Sequence, residues 1–499
     1  MSAPATKVSL YRLLIDGEDV DSSSGRTLES LNPTTGAVWA EIAAANAADV
    51  DRAVTAASRA FSDESWRSLS PTRVGRLMMR FADEIAEHAE HIARIETQDN
   101  GKLYKEMLGQ LRTIPDWLYY YGGLADKIEG RVIPHDRPGI LNYTLREPLG
   151  VIGIIIPWNS PVLLTMYALA PALAAGNTVV IKPSEHASAS VIETIRLAER
   201  AGFPPGVLNV VTGDGEAGQA LVDHPGVAKI SFTGSDATGR KIAARAAGRL
   251  ATTTLELGGK SANIVFEDAN LDAAEAGVLA GIFGAAGQTC VAGSRALVAS
   301  KVYDQLLGRL EDRASRIRLG DPMDAETQMG PIANSPQLER VERMVASARD
   351  AGATVVAGGD RAQVTGLPNG FFYRPTVLAN VENTSTIAQE EVFGPVLTAI
   401  PFRSEEEAVE LANGTRYGLA AGVWTRDISR AHRVARQLQA GTVWINLYRA
   451  VTFNSPFGGY KASGAGRVNG AEAVDEFLQT KSVWCDLSDE VQDPFVLRL

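Results

Sequence analysis

Between Asn46 and Glu96, apolar side chains recur at i, i+3 and i+4: Val50, Ala53, Val54, Ala57 and Phe61, then Leu77, Phe81 and Ile85. That period predicts two amphipathic helices, the second opened by Pro71 at a position where a missing N–H costs no hydrogen bond. From Val151 the rhythm changes. Strand-like Val151 to Ile156, Thr178 to Ile181, Val207 to Val211 and Lys229 to Phe232 alternate with helical Val162 to Ala174, Ser188 to Ala201, Ala217 to Val222 and Thr238 to Ala247. Continuously apolar strands joined by helices imply a parallel sheet covered on both faces, with ligands at the carboxyl ends of its strands. A second alternating region runs from Ala262 to about Asn446, with strand-like Ala262 to Phe266, Ala296 to Ala299 and Val443 to Ile445. Its helical stretches are Asp272 to Ala285, Val302 to Ile317 and Pro336 to Ala351, and Gly358 to Pro375 reads as a surface connection. Ile128 to Pro148 and the stretch after Ala471, including Phe477 to Trp484, are extended and β-prone and fit neither unit. A small exposed sheet there would leave edges that seek partners. The predicted fold class is α/β, with two doubly wound units and a small β arm.

Composition narrows the function classes. The chain has 499 residues, 45% hydrophobic and 21% charged, which describes a globular protein large enough for two or three domains. A formal net charge of −11, with no compensating block of Lys and Arg, argues against nucleic acid as a partner. Cys290 and Cys485 are the two cysteines, with no C-x-x-C pair; they cannot build a disulfide framework, and a reducing cytoplasm suits them. Residues Met1 to Lys7 lack the basic and apolar regions of a secretory signal. Apolar runs such as Val151 to Ile156 fall far short of the roughly 20 residues that span a bilayer. Of six histidines only His88 and His91 are close, within the charged stretch Asp83 to Glu96, where a solvated helix face is the expectation; no catalytic metal is predicted.

Four short stretches carry candidate chemistry. Cys290 lies in Gly287-Gln288-Thr289-Cys290-Val291-Ala292-Gly293, a thiol on a glycine-flanked turn, where a thiolate can act as a nucleophile; a small buried hydrophobe is the alternative. Glu256 ends the run Ala251 to Leu257 and precedes Gly258-Gly259. A carboxylate walled by leucines has its charged form disfavoured and suits a general base; otherwise it is a surface glutamate at a strand end. Pro157-Trp158-Asn159-Ser160-Pro161 ends the run Val151 to Ile156. The two prolines stiffen a turn from which the Asn159 amide could donate to an oxyanion, or form an Asx-turn without catalytic meaning. Lys182-Pro183-Ser184-Glu185 follows a predicted strand, so Lys182 and Glu185 fall at the ligand-facing edge of the sheet.

With these motifs in view the chain resembles the aldehyde dehydrogenase superfamily, of the hydrolytic NAD(P)-dependent type, essentially from end to end. Seven motifs stand in the family's order: Pro157 to Pro161, Lys182 to Glu185, Phe232 to Ser235, Glu256 to Ser261, Gly287 to Cys290, Glu390 to Pro395 and Ser455 to Lys461. The resemblance implies a Rossmann-like cofactor domain over 1–127 and 150–258, a catalytic domain over 259–470, and an oligomerisation arm over 128–149 and 471–499 that pairs subunits into a homodimer or homotetramer. It implies that Cys290 attacks an aldehyde, that Asn159 and the Cys290 backbone N–H hold the oxyanion, that hydride passes to the cofactor, that Glu256 activates the water that hydrolyses the thioester, and that Lys182 positions the cofactor ribose. Glu185 can accept both ribose hydroxyls and would repel a 2′-phosphate, which favours NAD, with NADP as the alternative.

Cofactor contacts are implied for Ile155, Ile156, Pro157, Trp158, Lys182, Ser184, Glu185, Gly215, Gly218, Phe232, Thr233, Gly234, Ser235, Leu257, Gly258, Glu391 and Phe393. The turn Gly213 to Gly218 spells G-x-G-x-x-G, but the resemblance puts it near the adenosine and the pyrophosphate near Ser235, which is placed to open a helix. The family's substrate funnel falls on Leu164, Tyr167, Thr289, Val291, Arg449 and Phe457, and small Gly284 and Ser160 imply that it is roomy. Arg449 favours a semialdehyde or another polar aldehyde, unless it is held by a nearby carboxylate. Two other classes fit less well. A thiol hydrolase would need a histidine partner, which no glycine-rich setting offers, and a silent cofactor-binding protein would have lost the trio that is intact here.

Overall fold

The computed structural model describes residues 8–488 and Phe495; residues 1–7, read above for a secretory signal, and the rest of the expected arm beyond 488 lie outside the described residues. The first alternating region builds an eight-stranded sheet in the order Gly464–Ala465, Thr252–Glu256, Val227–Thr233, Val151–Ile156, Thr178–Pro183, Leu208–Val210, Leu13–Ile15, Glu18–Val20. Its five central strands are parallel, as their apolar runs require. Alternation along one strand splits the core in two. Ile152, Ile154 and Ile156 point into the cluster formed with helices Pro71–Asn100, Pro161–Ala174 and Ala189–Ala201. Val151 and Ile155 point the other way, into the cluster with Ala47–Ser62 and Gly215–Asp223.

The second region forms a seven-stranded sheet, Thr354–Ala357, Thr376–Ala379, Val396–Phe402, Arg295–Ala299, Ala262–Val265, Ala420–Trp424, Thr442–Ile445, parallel except at its first edge. Here the motifs fall before the strands rather than after them: Gly258-Gly259 before Ala262–Val265, Cys290 before Arg295–Ala299, Glu391 before Val396–Phe402. The carboxyl edge of one sheet therefore faces the amino edge of the other.

Several strands depart from the sequence pattern: in the second sheet Thr354–Ala357, Thr376–Ala379, Val396–Phe402 and Ala420–Trp424 join the three expected strands. Leu13–Ile15 and Glu18–Val20 extend the first sheet as a hairpin whose turn residues, Asp16 (φ 61°) and Gly17 (φ 80°), both sit in the left-handed region, and Thr27–Asn32 pairs with Ala37–Ala43 and Ser9–Tyr11 in a separate small sheet. Gly464–Ala465, expected within the second unit, adds an antiparallel edge strand to the first sheet against Leu255 and Glu256. The two extended stretches find each other within one chain: Leu478–Asp486 pairs with Ile140–Pro148 over nine residues, and Val132–Ile133 adds a third strand. No helix among the described residues is long and apolar enough to cross a membrane.

Candidate active site

Strand Val151–Ile156 delivers Pro157 to Asn159 to the gap between the sheets; strand Thr252–Glu256 ends on the carboxylate itself. Cys290 follows a short turn in which Ala285 (φ 54°), Ala286 (φ 52°) and Gly287 (φ 71°) are all left-handed, a conformation that costs about 1–3 kcal/mol for each non-glycine residue and persists only when its surroundings hold it. At Gly287 an added Cβ would lie 2.1 Å from the Gly394 carbonyl oxygen, so only glycine fits. These three side chains line one cavity of about 470 Å³, together with Leu164, Leu257, Gly258, Glu391 and Phe393.

The cavity is rich in polar groups without protein partners. Glu256 is 6% exposed and neither of its oxygens accepts a hydrogen bond. Burial pushes its carboxyl well above the usual range, with Arg467 pulling down and Glu476 pushing up. Asn159 donates through Nδ2 to the Gln288 carbonyl oxygen at 3.0 Å, which aims its amide at the cysteine loop, while its Oδ1 has no partner. Burial raises the Cys290 thiol to about 12, the Glu391 and Glu256 carboxylates add to the rise, and the N–H groups of Val291 and Cys290 oppose it. In this state the thiol is neutral at pH 7 and needs a base. Glu391 accepts from the Gly259 N–H at 3.0 Å and lies so close to Gly258 that a Cβ there would meet its Oε2 at 2.2 Å; burial raises it to about 7, opposed by Gly259 and Lys260.

A second recess of about 810 Å³ continues from the first and shares Pro157, Trp158, Thr233, Gly234 and Ser235 with it. It is lined by Ile155, Ile156, Lys182, Ser184, Glu185, Gly215, Gly218 and Phe232, so the expected cofactor positions all border one continuous cleft. Lys182 is buried and its Nζ lies 3.6 Å from Glu185 Oε2. Burial pushes Glu185 up, but Lys182, its own N–H, His186 and Ser184 together hold it below the ordinary value. Ser235 caps helix Asp236–Ala247, accepting from the Thr238 N–H at 3.3 Å. Gly215 and Gly218 open the recess: a Cβ at either would meet no protein atom within 4 Å, leaving room for a flat group against bare backbone. Trp158 and Phe393, the latter at φ 57°, meet edge to face at 5.2 Å where the two recesses join.

The substrate positions are brought together less completely. Leu164 lines the cavity, but Tyr167, Val291 and Phe457 are buried behind it, Tyr167 stacked on Trp117 at 5.5 Å, and the Thr289 hydroxyl is buried without a partner. The room expected from small residues is filled. Ser160 Oγ accepts from Lys102 Nζ at 2.8 Å, and the Arg449 guanidinium covers Gly284, with Nη1 only 1.9 Å from where a Cβ would be. Arg449, at φ 67°, donates Nη1 to the Ala280 carbonyl oxygen at 3.0 Å, and no protein carboxylate pairs with it among the described residues.

Several lining residues escaped the sequence reading. Gln337 donates to the carbonyl oxygens of Val392 and Phe393, Arg340 to that of Glu391, and Arg416 joins Glu390 at 2.8 Å to Asp236 at 3.2 Å. In sequence they belong to ordinary polar helix faces or loops, and only the contact between the sheets gives them a place. Glu84, Glu87 and His88 lie within metal-ligating reach of one another, but Arg200 already holds Glu84 at 3.0 Å and His88 Nε2 at 2.9 Å.

With fold and cleft in place, the comparisons agree. The family model described as "Aldehyde dehydrogenase family" matches residues 20–483. The chain is 43% identical over 492 residues to (Z)-2-((N-methylformamido)methylene)-5-hydroxybutyrolactone dehydrogenase of Acinetobacter baylyi, which covers 98% of this chain and 99% of that protein. It is 43% identical over 479 residues to an aldehyde dehydrogenase of Aspergillus niger, covering 96% and 95%. Betaine aldehyde dehydrogenase of Staphylococcus aureus, solved in complex with NAD+, shares the fold at a TM-score of 0.96 with 39% identity and 98% coverage of both chains. The chain belongs to the aldehyde dehydrogenase family.

Proposed function

We propose that this protein oxidises a polar or carboxylated aldehyde to the carboxylic acid with NAD, through a thiohemiacetal and a thioester on Cys290. The observation that carries the reading is the meeting of Cys290, Asn159 and an unpartnered Glu256 in one cavity that runs on into the long recess. That recess suits a dinucleotide: bare backbone at Gly215 and Gly218 admits a flat base, Glu185 offers a carboxylate to ribose hydroxyls, and the helix opened by Ser235 turns its free N–H groups towards phosphate. When bound, NAD+ supplies the hydride acceptor.

The chain's own residues do the rest. The Cys290 thiol gives its proton to solvent water in the cavity and, as the thiolate, its sulfur bonds to the aldehyde carbon while the carbonyl π-bond pair moves onto oxygen. The Asn159 amide and the Cys290 N–H stabilise the oxyanion, a donor of this kind being worth roughly 2.7–4 kcal/mol in the transition state. Glu256, kept basic by burial, takes a proton from the water that attacks the thioester, releasing the acid and the thiol. Arg449 favours an anionic or oxygen-rich substrate, since one donor holds Ala280 and no carboxylate among the described residues pairs with it.

The same reading makes residues 1–127 and 150–258 the cofactor unit, 259–470 the catalytic unit apart from Gly464–Ala465, and the strands around Ile140–Pro148 and Leu478–Asp486 a surface for a second copy. Val132 is 73% and Trp484 60% exposed on that sheet, an apolar cost in water that a homodimer or homotetramer would remove. A free thiol nucleophile fits a reducing cytoplasm. The test is NADH formation, followed by absorbance, with NAD or NADP and aliphatic, aromatic, cationic and carboxylated aldehydes, beside a Cys290→Ala control. Turnover lost in the control and fastest with carboxylated aldehydes is expected; turnover that survives Cys290→Ala sinks the mechanism, and light scattering showing only monomers sinks the assembly.

A further inference from the structure

A strap of residues 100–106, where helices Pro71–Asn100 and Tyr104–Thr113 join, touches both halves of the proposed reacting site, although no residue in it lines the cavity. Asn100 Nδ2 donates to the Trp158 carbonyl oxygen at 3.4 Å and Lys102 Nζ to Ser160 Oγ at 2.8 Å, so Asn159 is bracketed by two contacts from one strap. Ser160 opens helix Pro161–Ala174 yet its hydroxyl does not cap it, the usual task of a serine there, and it is held by Lys102 instead. On the other side, Glu106 Oε1 accepts from the Ala285 N–H at 3.3 Å, at the first residue of the left-handed turn that leads to Cys290. Glu106 Oε2 is buried without a partner. The strap is itself rigid: the Lys102 N–H donates to Asn100 Oδ1 at 3.0 Å, and Gly101, at φ 75°, is packed so tightly that a Cβ would lie 2.7 Å from Pro331 and 2.8 Å from Pro33.

We propose that Lys102 and Glu106 are positioning residues that set the Cys290 thiol against the Asn159 amide, Glu106 by holding the turn Ala285–Gly287 and Lys102 by holding the Asn159 loop. The turn needs such a holder, because Ala285 and Ala286 adopt a backbone conformation that alanine leaves when unrestrained. Neither residue touches the reacting atoms. The inference rests on Cys290 being the nucleophile, but its test is independent of the aldehyde.

Alkylation of Cys290 by iodoacetamide is measured in the full chain without cofactor or aldehyde, beside kcat and KM for NADH formation and the thermal midpoint, for Glu106→Met, Glu106→Gln and Lys102→Met. Met keeps the volume of Glu106 and loses the acceptor; Gln keeps an acceptor. Glu106→Met is expected to slow alkylation and lower kcat on the order of tenfold, within the range that a displacement of about an ångström produces, while Glu106→Gln stays within about threefold of the parent. Lys102→Met is expected to lower kcat and, because Lys102 also interacts electrostatically with Glu106 and Cys290, to change alkylation by less than Glu106→Met does; an alkylation change as large as that of Glu106→Met overturns the separate roles. Alkylation unchanged in Glu106→Met, or equal losses in Met and Gln variants, overturns the proposal. If Glu106→Met does not fold, Glu106→Asp, which withdraws the carboxylate by one methylene, replaces it, and unchanged alkylation overturns the proposal in the same way. A parent protein inactive with every aldehyde but showing the expected alkylation differences would refute the proposed reaction and leave the positioning role standing.

Discussion

Around Lys182 the cleft is lined by groups that have found partners, whereas around Cys290 it is lined by groups that have not. Lys182 faces Glu185 at 3.6 Å, Ser235 caps its helix, and the glycines between them leave open space. Further along, in and beside the cavity of about 470 Å³, both oxygens of Glu256, Asn159 Oδ1 and the Thr289 hydroxyl are buried without protein partners, and Ala285, Ala286 and Phe393 hold left-handed backbone. Each unsatisfied buried group costs about 1–3 kcal/mol. The difference teaches where binding and chemistry divide. A binding surface can be stable before its ligand arrives; a catalytic one keeps desolvated, unpaired groups ready for charge that exists only during reaction.

The largest effect should come from removing the most isolated of those groups. Glu256→Gln is expected to lower steady-state kcat on the order of 10²–10⁴-fold while a first-turnover burst of NADH persists, seen by stopped-flow, because acylation survives and hydrolysis does not. The sign of the pH dependence follows from burial. Glu256 holds its proton well above the usual carboxylate range, so its base form grows as pH rises, and deacylation should rise with pH in the parent and be flat in the variant. A parent profile that falls with pH would break the assignment. Next in size, Asn159→Ala should lower kcat/KM by about 10²–10³-fold with the dissociation constant for NAD, read by fluorescence titration, left unchanged.

Arg449→Ala sharpens the comparison within the reacting end. It should weaken kcat/KM for carboxylated aldehydes by about tenfold, the scale of one charge-assisted hydrogen bond, and leave uncharged aldehydes alone; equal loss for both makes the arginine structural. The smallest change is expected at the partnered end, where Glu185→Gln should move the ratio of NAD to NADP efficiency by only about fivefold, the scale of one partly exposed charge pair. A change as large as that of Glu256→Gln would erase the division drawn between the two ends.

Much of this was legible beforehand. The central strands and helices of the first sheet, and Ala262–Val265, Arg295–Ala299 and Thr442–Ile445 of the second, follow the apolar rhythm, because burial on both faces leaves continuous runs that few other structures tolerate; Val396–Phe402 and Ala420–Trp424, inside the second sheet, did not stand out from their surroundings. The hairpin around Asp16-Gly17 had its own signal, a turn dipeptide between short apolar runs, but three-residue strands are too short for periodicity to register. Gly464–Ala465 carries no strand pattern at all, since its pairing with Leu255 and Glu256 is decided by where its neighbours are anchored. The small side chains Gly284 and Ser160 suggested empty space, and long cations from distant positions occupy it, because a sequence shows the volume a residue lacks and not what fills it.

The order of apolar and polar residues by itself determined the first parallel sheet, three strands of the second, the glycine-bounded motifs and the identity of Cys290, Glu256 and Asn159 as candidates. Each depends on local periodicity or on residue chemistry within a few positions. Only the tertiary structure decided that the carboxyl edge of one sheet meets the amino edge of the other, that Arg416 and Gln337 line the cleft and Lys102 holds Ser160 behind it, and that both Glu256 oxygens and Asn159 Oδ1 stay without protein partners. Those facts come from contacts across hundreds of residues and from desolvation, which depends on everything that surrounds a group and on little that is next to it in the chain.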